Sequence, residues 1–199
     1  MMVKFKWLFI LSSIFSVSCV TIKSKSTNLL LDSKYEKYNA FHDVALVNTD
    51  ITKELMVNGV LTATNSKLHK VSLNGSAVIT NTVIYEDISI NGELTVDKTV
   101  LKKNVVGHGK LLAKHAKIRK IDLAAKIIIL NDTVVDSIRI REFKNTTIYV
   151  RNNSVVTGSI VFDTGLGRVV IDKSSHVKGS ITGACIKKEA LEVIVGKNY

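Results

Sequence analysis

The chain has 199 residues with no proline, 46% hydrophobic and only 6% aromatic residues. Average usage would put about ten prolines in such a chain, so their absence excludes collagen-like, polyproline and proline-rich disordered architectures. Val, Ile and Thr make up about 60 residues, and these stiff β-branched side chains favour strands in a single domain with ample core-forming material. Lys and Arg total 28 against 17 Asp and Glu, a formal net charge of +11. That balance fits nucleic acid, anionic lipid or an acidic polysaccharide as partner.

The N-terminus narrows the choice. Lys4 and Lys6 precede residues 7–17, an apolar run broken only by Ser12, Ser13 and Ser16. A run of about eleven residues is too short for a membrane-spanning helix, which takes about 20. It matches the apolar region of a secretory signal peptide. The run Ser16-Val17-Ser18-Cys19 resembles the lipobox of bacterial lipoproteins, with Ser16 where an aliphatic residue is usual. The resemblance implies removal of residues 1–18, lipidation of Cys19 and, because Val20 rather than Asp follows, the outer membrane. An ordinary cleaved signal with an incidental cysteine is the other reading. Two lysines leave with the signal, so the mature charge is +9. Export removes nucleic acid from the expected partners.

Residues 19–40 read as a lipidated tether, 41–185 as the folded domain and 186–199 as a C-terminal cap or tail. Residues 29–38 carry enough Leu and Tyr for a short element docked on that domain. With Cys19 lipidated, Cys185 has no intramolecular partner. It reads as a small buried apolar residue.

Asn58-Gly59, Asn74-Gly75 and Asn91-Gly92 recur at intervals of 16 and 17 residues, and the series continues to His108-Gly109 and Ala124-Ala125. Aligned on these marks, the units begin at Met56, Ser72, Ser89, Val106 and Asp122. Alternate positions after each mark are apolar: Leu61 and Ala63, Ala77 and Ile79, Leu94 and Val96, Leu111 and Ala113, Ile127 and Ile129. A later apolar position holds Leu68, Ile84, Leu101, Ile118 and Val134. Period-2 alternation means half-buried strands. A unit this short cannot bury its apolar face alone, so the units must stack. The expected fold is all-β: a single-stranded β-solenoid, a right-handed parallel β-helix, whose coils of 16–17 residues lengthen to 21–22. The lengthening appears where residues 150–160 match 171–181 position by position. About seven coils would make a rod of roughly 35 Å. Missing proline follows, because every strand is donor and acceptor to both neighbours.

Asn48, Asn65, Asn81 and Asn131 share a position at one corner. Stacked amides could form a hydrogen-bonded ladder there; alternatively Asn simply suits the turn. Both roles are structural.

No catalytic constellation stands out. The five histidines are His42, His69, His108, His115 and His176; their spacing and the 16–17 period do not follow the hexapeptide rule of the zinc-binding solenoid carbonic anhydrases. No phosphate loop or nucleophile elbow is present. The expectation is a non-enzyme without metal or cofactor. The charge is more informative. Eight basic residues and one acid lie between Lys102 and Lys126. Lys70, Lys102, Lys103, Lys117, Arg119 and Lys120 are expected to align as a basic stripe along a corner. Such a stripe suits anionic lipid, lipopolysaccharide or an acidic polysaccharide.

The endings Val156-Thr157-Gly158-Ser159-Ile160 and Val177-Lys178-Gly179-Ser180-Ile181, with the short coils, resemble the bactofilins, bacterial polymer-forming β-helical proteins. The resemblance spans residues 44–183 and implies end-to-end self-assembly; the lipoprotein signal departs from that largely cytoplasmic family. The expected function is an exported, lipid-anchored scaffold or binding solenoid of the bacterial envelope. A carbohydrate-binding or carbohydrate-cleaving β-helix at the cell surface is the alternative.

Overall fold

The computed structural model describes residues 21–22 and 27–188. Among the described residues it is a β-solenoid of about nine turns, built from nineteen strands in one sheet whose pairings are all parallel, with no helix. The signal segment, Cys19 and residues 189–199 lie outside the described residues.

Each coil has three faces. The first runs through residues 44–47, 61–64, 77–80, 94–97, 111–114 and 128–131, all in register. The second is short, two paired residues per coil, as in 50–51, 67–68, 83–84 and 100–101. The third carries 54–57, 70–73, 88–90 and 105–107. The strands Asp50–Thr64 and Val100–Lys114 run unbroken through the second and third faces and into the first face of the next coil, fifteen residues each. At a rise of about 4.8 Å per coil, nine coils span about 43 Å.

Inward positions from the three faces form one continuous core. Leu61, Leu94, Leu111, Ile128 and Ile148 stack on the first face; Ile51, Leu68, Ile84 and Ile118 on the second; Leu55, Val71, Ile88, Val105, Ile121 and Ile138 on the third. Each fully buried aliphatic side chain contributes about 1.5–3 kcal/mol relative to exposure, so the coils hold one another rather than themselves.

Coil length varies at defined corners. Between the second and third faces, two residues bridge Leu68 to Val71, whereas three bridge Ile51 to Leu55 and Leu101 to Val105. That one-residue difference produces the alternation of 16 and 17. The matched segments 150–160 and 171–181 stack in the expected register, Val150 on Ile171, Val156 on Val177 and Ile160 on Ile181.

Four expectations are corrected. The described solenoid begins at Thr21, inside the segment read as tether: residues 21–22, 28–31 and 34–40 pair in register with the coil above, and Tyr38 is buried. At the other end Ala184–Lys188 is a solenoid strand on Gly167–Ile171. Within the fifth unit, Ile128 and Leu130 point inward, not Ile127 and Ile129, and Val135 replaces Val134. An extra residue at the Ala124-Ala125 corner shifts the phase by one, since Ala124 pairs with His108 but Ile128 with Leu111. Cys185 is exposed, because it occupies an outward position opposite exposed Arg168.

Candidate functional site

Two corners fix the geometry of the outer surface. Between the first and second faces, each coil turns on one residue in the left-handed region: Asn48 (φ 50°), Asn65 (51°), Asn81 (48°), Lys98 (48°), His115 (45°) and Asp132 (47°). Asn and Asp tolerate this region best. The next residue buries a hydroxyl in Thr49, Ser66, Thr82, Thr99, Thr133, Ser154 and Ser175. Most of these hydroxyl oxygens accept from the coil below: Thr49 N–H to Ser66 Oγ (3.2 Å), Ser66 N–H to Thr82 Oγ1 (3.2 Å), Thr133 N–H to Ser154 Oγ (3.1 Å), Ser154 N–H to Ser175 Oγ (3.1 Å). The Ser66, Thr82 and Thr133 hydroxyls donate to the carbonyl two residues back, as Ser66 does to Thr64 (2.9 Å) and Thr133 to Asn131 (2.9 Å), while Ser154 donates to Arg151, three back (2.6 Å). The Asn-Thr and Asn-Ser pairs at 48–49, 65–66 and 81–82 are the sequence signal for this buried column.

The asparagine ladder is discontinuous. Asn81 Nδ2 donates to Asn65 Oδ1 (2.7 Å) and Asn48 Nδ2 to Asp32 Oδ1 (2.9 Å), so these form separate rungs. Asn131 stands one place earlier, on the strand opposite Lys114, and accepts from Asn152 Nδ2 (2.8 Å). His115 fills one corner instead, with Nδ1 2.8 Å from Asp97 Oδ1 and Nε2 3.9 Å from Asp132 Oδ2. The His115 hydrogen bond, opposed by partial burial, holds the Asp97 carboxyl below the usual range.

The basic residues do not make one stripe. On the third face the column reads Lys70, Asp87, Asn104, Lys120, because Lys102 and Lys103 both fall in the bulge opposite Arg119. Lys70 Nζ lies 2.9 Å from Glu54 Oε1, and Lys37 reaches the same carboxylate at 3.7 Å. The Lys70 hydrogen bond pulls the Glu54 carboxyl down, and Glu54 raises the Lys70 ammonium. Asp87 Oδ1 accepts from Asn104 N–H at 2.9 Å. Lys120 pairs with Asp122 at 3.3 Å. Lys102 lies 4.2 Å over the ring of Tyr85, which stacks on His69 with centroids 5.0 Å apart. Lys103, Lys117 and Arg119 are exposed and make no ion pair among the described residues.

The arrangement is instead a band around the rod. Residues 28–97 hold five lysines and nine carboxylates, net −4. Residues 98–131 hold nine basic residues and one acid, net +8. Stacking concentrates that second group on two adjacent coils, with Lys98 and Lys114 near one corner, Lys110 and Lys126 near another, and Lys102, Lys103, Lys117 and Arg119 around the second face. Lys70 belongs to the neutralised lower coils.

The asparagines that marked the repeat, Asn58, Asn74 and Asn91, form a row of their own opposite His108, which the sequence reading used only as punctuation. Among the described residues no group of three or more His, Cys, Asp or Glu side chains is placed to hold a metal ion. No family model matches the chain, and neither a curated protein nor a solved structure matches it.

Proposed function

We propose that this chain is an exported, lipid-anchored β-solenoid scaffold of the bacterial envelope that binds an anionic surface through its basic band. The carrying observation is the charge separation along the rod. Nine basic residues against one acid sit on two neighbouring coils, and Lys103, Lys117 and Arg119 are exposed without carboxylate partners among the described residues. A rigid coil stack holds these cations in fixed positions, so little conformational entropy is lost on contact. About 1 kcal/mol per Lys or Arg near an anionic membrane suffices for a reversible contact when several act together. The lipobox-like run ending in Cys19 supplies the anchor, two residues before the first paired strand, Thr21–Ile22. The short coils and the Val-x-Gly-x-Ile endings support a bactofilin-like scaffold role over an enzymatic one.

Vesicles containing phosphatidylglycerol test the reading. The full chain should co-sediment with them at low salt and detach as ionic strength rises. K103E, K117E and R119E together should abolish sedimentation while leaving the melting temperature unchanged. Retained binding by the triple variant overturns the basic-band reading. Fatty-acid labelling of wild type against C19A tests the anchor, and equal labelling overturns it.

A further inference from the structure

A second surface has the opposite electrostatic character. Where the third face meets the first, a groove of about 550 Å³ runs along the rod. Its wall is one polar planar group per coil: Asn58, Asn74, Asn91 and His108, aligned in register. Ser72 and Ser89 form a parallel row beside them, and buried Leu73 and Ile90 contribute an apolar floor. The lining contains no Asp, Glu, Lys or Arg. That is unusual in a chain with 23% charged residues, and it selects an uncharged ligand.

The groove exists because its corner is built from glycine. Gly59, Gly75, Gly92 and Gly109 stack with φ between 136° and 149°, and a Cβ on Gly92 would collide with the Gly75 carbonyl. With no side chain at the bend, the outward groups before it stay open to solvent; Asn74, Asn91 and His108 are exposed. Asn91 Nδ2 donates to Asn74 Oδ1 at 3.2 Å. Each amide has two donors and two lone-pair positions, so the rung leaves donor and acceptor capacity on both residues.

We propose that this groove binds a linear, uncharged, β-linked glycan of about four sugar units lying along the rod axis, one ring per coil. The spacing carries the choice of ligand. The polar groups repeat every ~4.8 Å, close to the length of one sugar ring in an extended glycan. An extended peptide presents same-side groups every ~6.7 Å and falls out of step by the third coil. Sugar hydroxyls meet the amides and serines, and ring C–H faces lie on the exposed Met56. Phe41, 43% exposed, follows Ala40 and therefore stands at the foot of the same row, one coil below Asn58. Phe143, 38% exposed, lines the adjoining recess with His108 at the other end. Both rings are placed to stack on terminal sugars.

The test is calorimetric titration of the full chain with linear β-linked glucose and N-acetylglucosamine oligomers of two to six units. Affinity should rise with length to about four or five units and then level off, and should be insensitive to salt. N74A with N91A should weaken binding at least about tenfold, with circular dichroism unchanged. If that variant unfolds, titration of wild type with the tetramer should shift the His108 ring resonances and leave those of His176 in place. K103E, K117E and R119E should bind the glycan like wild type, which separates this groove from the basic band. No binding by any oligomer, affinity independent of length, or wild-type affinity in a folded N74A/N91A variant overturns the proposal.

Discussion

At the glycine corner a coil turns because nothing occupies the Cβ position; at the hydroxyl corner it turns because something specific is buried there. The glycine column runs only through Gly59, Gly75, Gly92 and Gly109, and each carbonyl lies where the next residue's Cβ would be. Above it the corner opens into the longer loops around 141–145 and 163–166, where coils reach 21–22 residues. The hydroxyl column runs from Thr49 to Ser175, through both short and long coils, with one lapse at Ala116. A steric corner is all or nothing, so the chain either keeps glycine or abandons the geometry. A hydrogen-bonded corner accepts Asn, Lys or Asp at its left-handed residue where a small hydroxyl follows, and His115 where Ala116 follows.

The steric corner should therefore be the less forgiving. G92A places a methyl group against the Gly75 carbonyl at a φ that L-residues rarely adopt, and should cost at least about 3 kcal/mol. In a domain of this size that lowers the melting temperature by roughly 6–12 °C. K98A, at the left-handed residue of the other corner in the same region, should stay within about 0.5–1 kcal/mol. Equal losses in thermal melts of the two variants would break the comparison.

Removing the buried hydroxyl tests the second corner directly. S66A leaves the Thr49 N–H without its acceptor and takes one of two donors from the Thr64 carbonyl, which keeps the Asn48 N–H. An unmet buried group costs about 1–3 kcal/mol. S66T should be nearly silent, because Thr82 and Thr99 already occupy equivalent places. Urea denaturation that finds S66A as stable as S66T would remove the hydroxyl column from the stability account.

The column's upper end adds a pH dependence. Asp172 Oδ2 accepts from Asn152 N–H (2.6 Å), and Oδ1 from Ser174 N–H (3.1 Å) and Ser174 Oγ (3.0 Å). Burial pushes its carboxyl up, but the hydrogen bonds from Ser175, Asn152 and Ser174 outweigh it and leave the group below its usual range. A carboxyl depressed in the folded state contributes stability above its unfolded pKa of about 3.9 and loses it as pH falls through the lower folded value. Melts between pH 5 and 2.5 should show that loss, and D172N should flatten it. An unchanged slope in D172N would place the acid sensitivity elsewhere.

These two corners also explain what was readable in advance. Asn-Gly pairs are conspicuous because glycine there has no substitute, and they delivered the fold class, the period and the register of four coils. Reading stopped being accurate at Ala124-Ala125, where the steric mark is lost and one residue is added. In Ile127-Ile128-Ile129-Leu130 every residue is apolar, so alternation could not reveal which ones face inward. The Ser/Thr column escaped because Thr and Ser are common in strands, and only burial distinguishes Thr82 or Thr133 from the exposed Thr62. The basic stripe failed for a similar reason. A one-residue bulge at Lys102-Lys103 puts Asp87 and Asn104 where a strict period would put lysines.

The smallest expected effect is a gain. Ala116 is buried at the one place between Thr49 and Ser175 where the hydroxyl column lapses. By the pattern of Thr49 with Ser66 and Ser66 with Thr82, the Thr99 N–H faces that position, while the Ala116 N–H still reaches Thr133 Oγ1 at a long 3.5 Å. A116S should supply the missing acceptor. Its own proton has a ready partner in the Lys114 carbonyl, two residues back, as Thr133 uses Asn131. The two new bonds together should stabilise the rod by about 0.5–1.5 kcal/mol, less the cost of burying the hydroxyl. Urea unfolding should show a higher midpoint with an unchanged slope. The Thr99 amide should also exchange its hydrogen more slowly, which a purely packing-based gain would not produce. A lower midpoint would mean that the column is tuned to steric fit at Ala116, and the two corners would then differ less in kind than their contacts suggest.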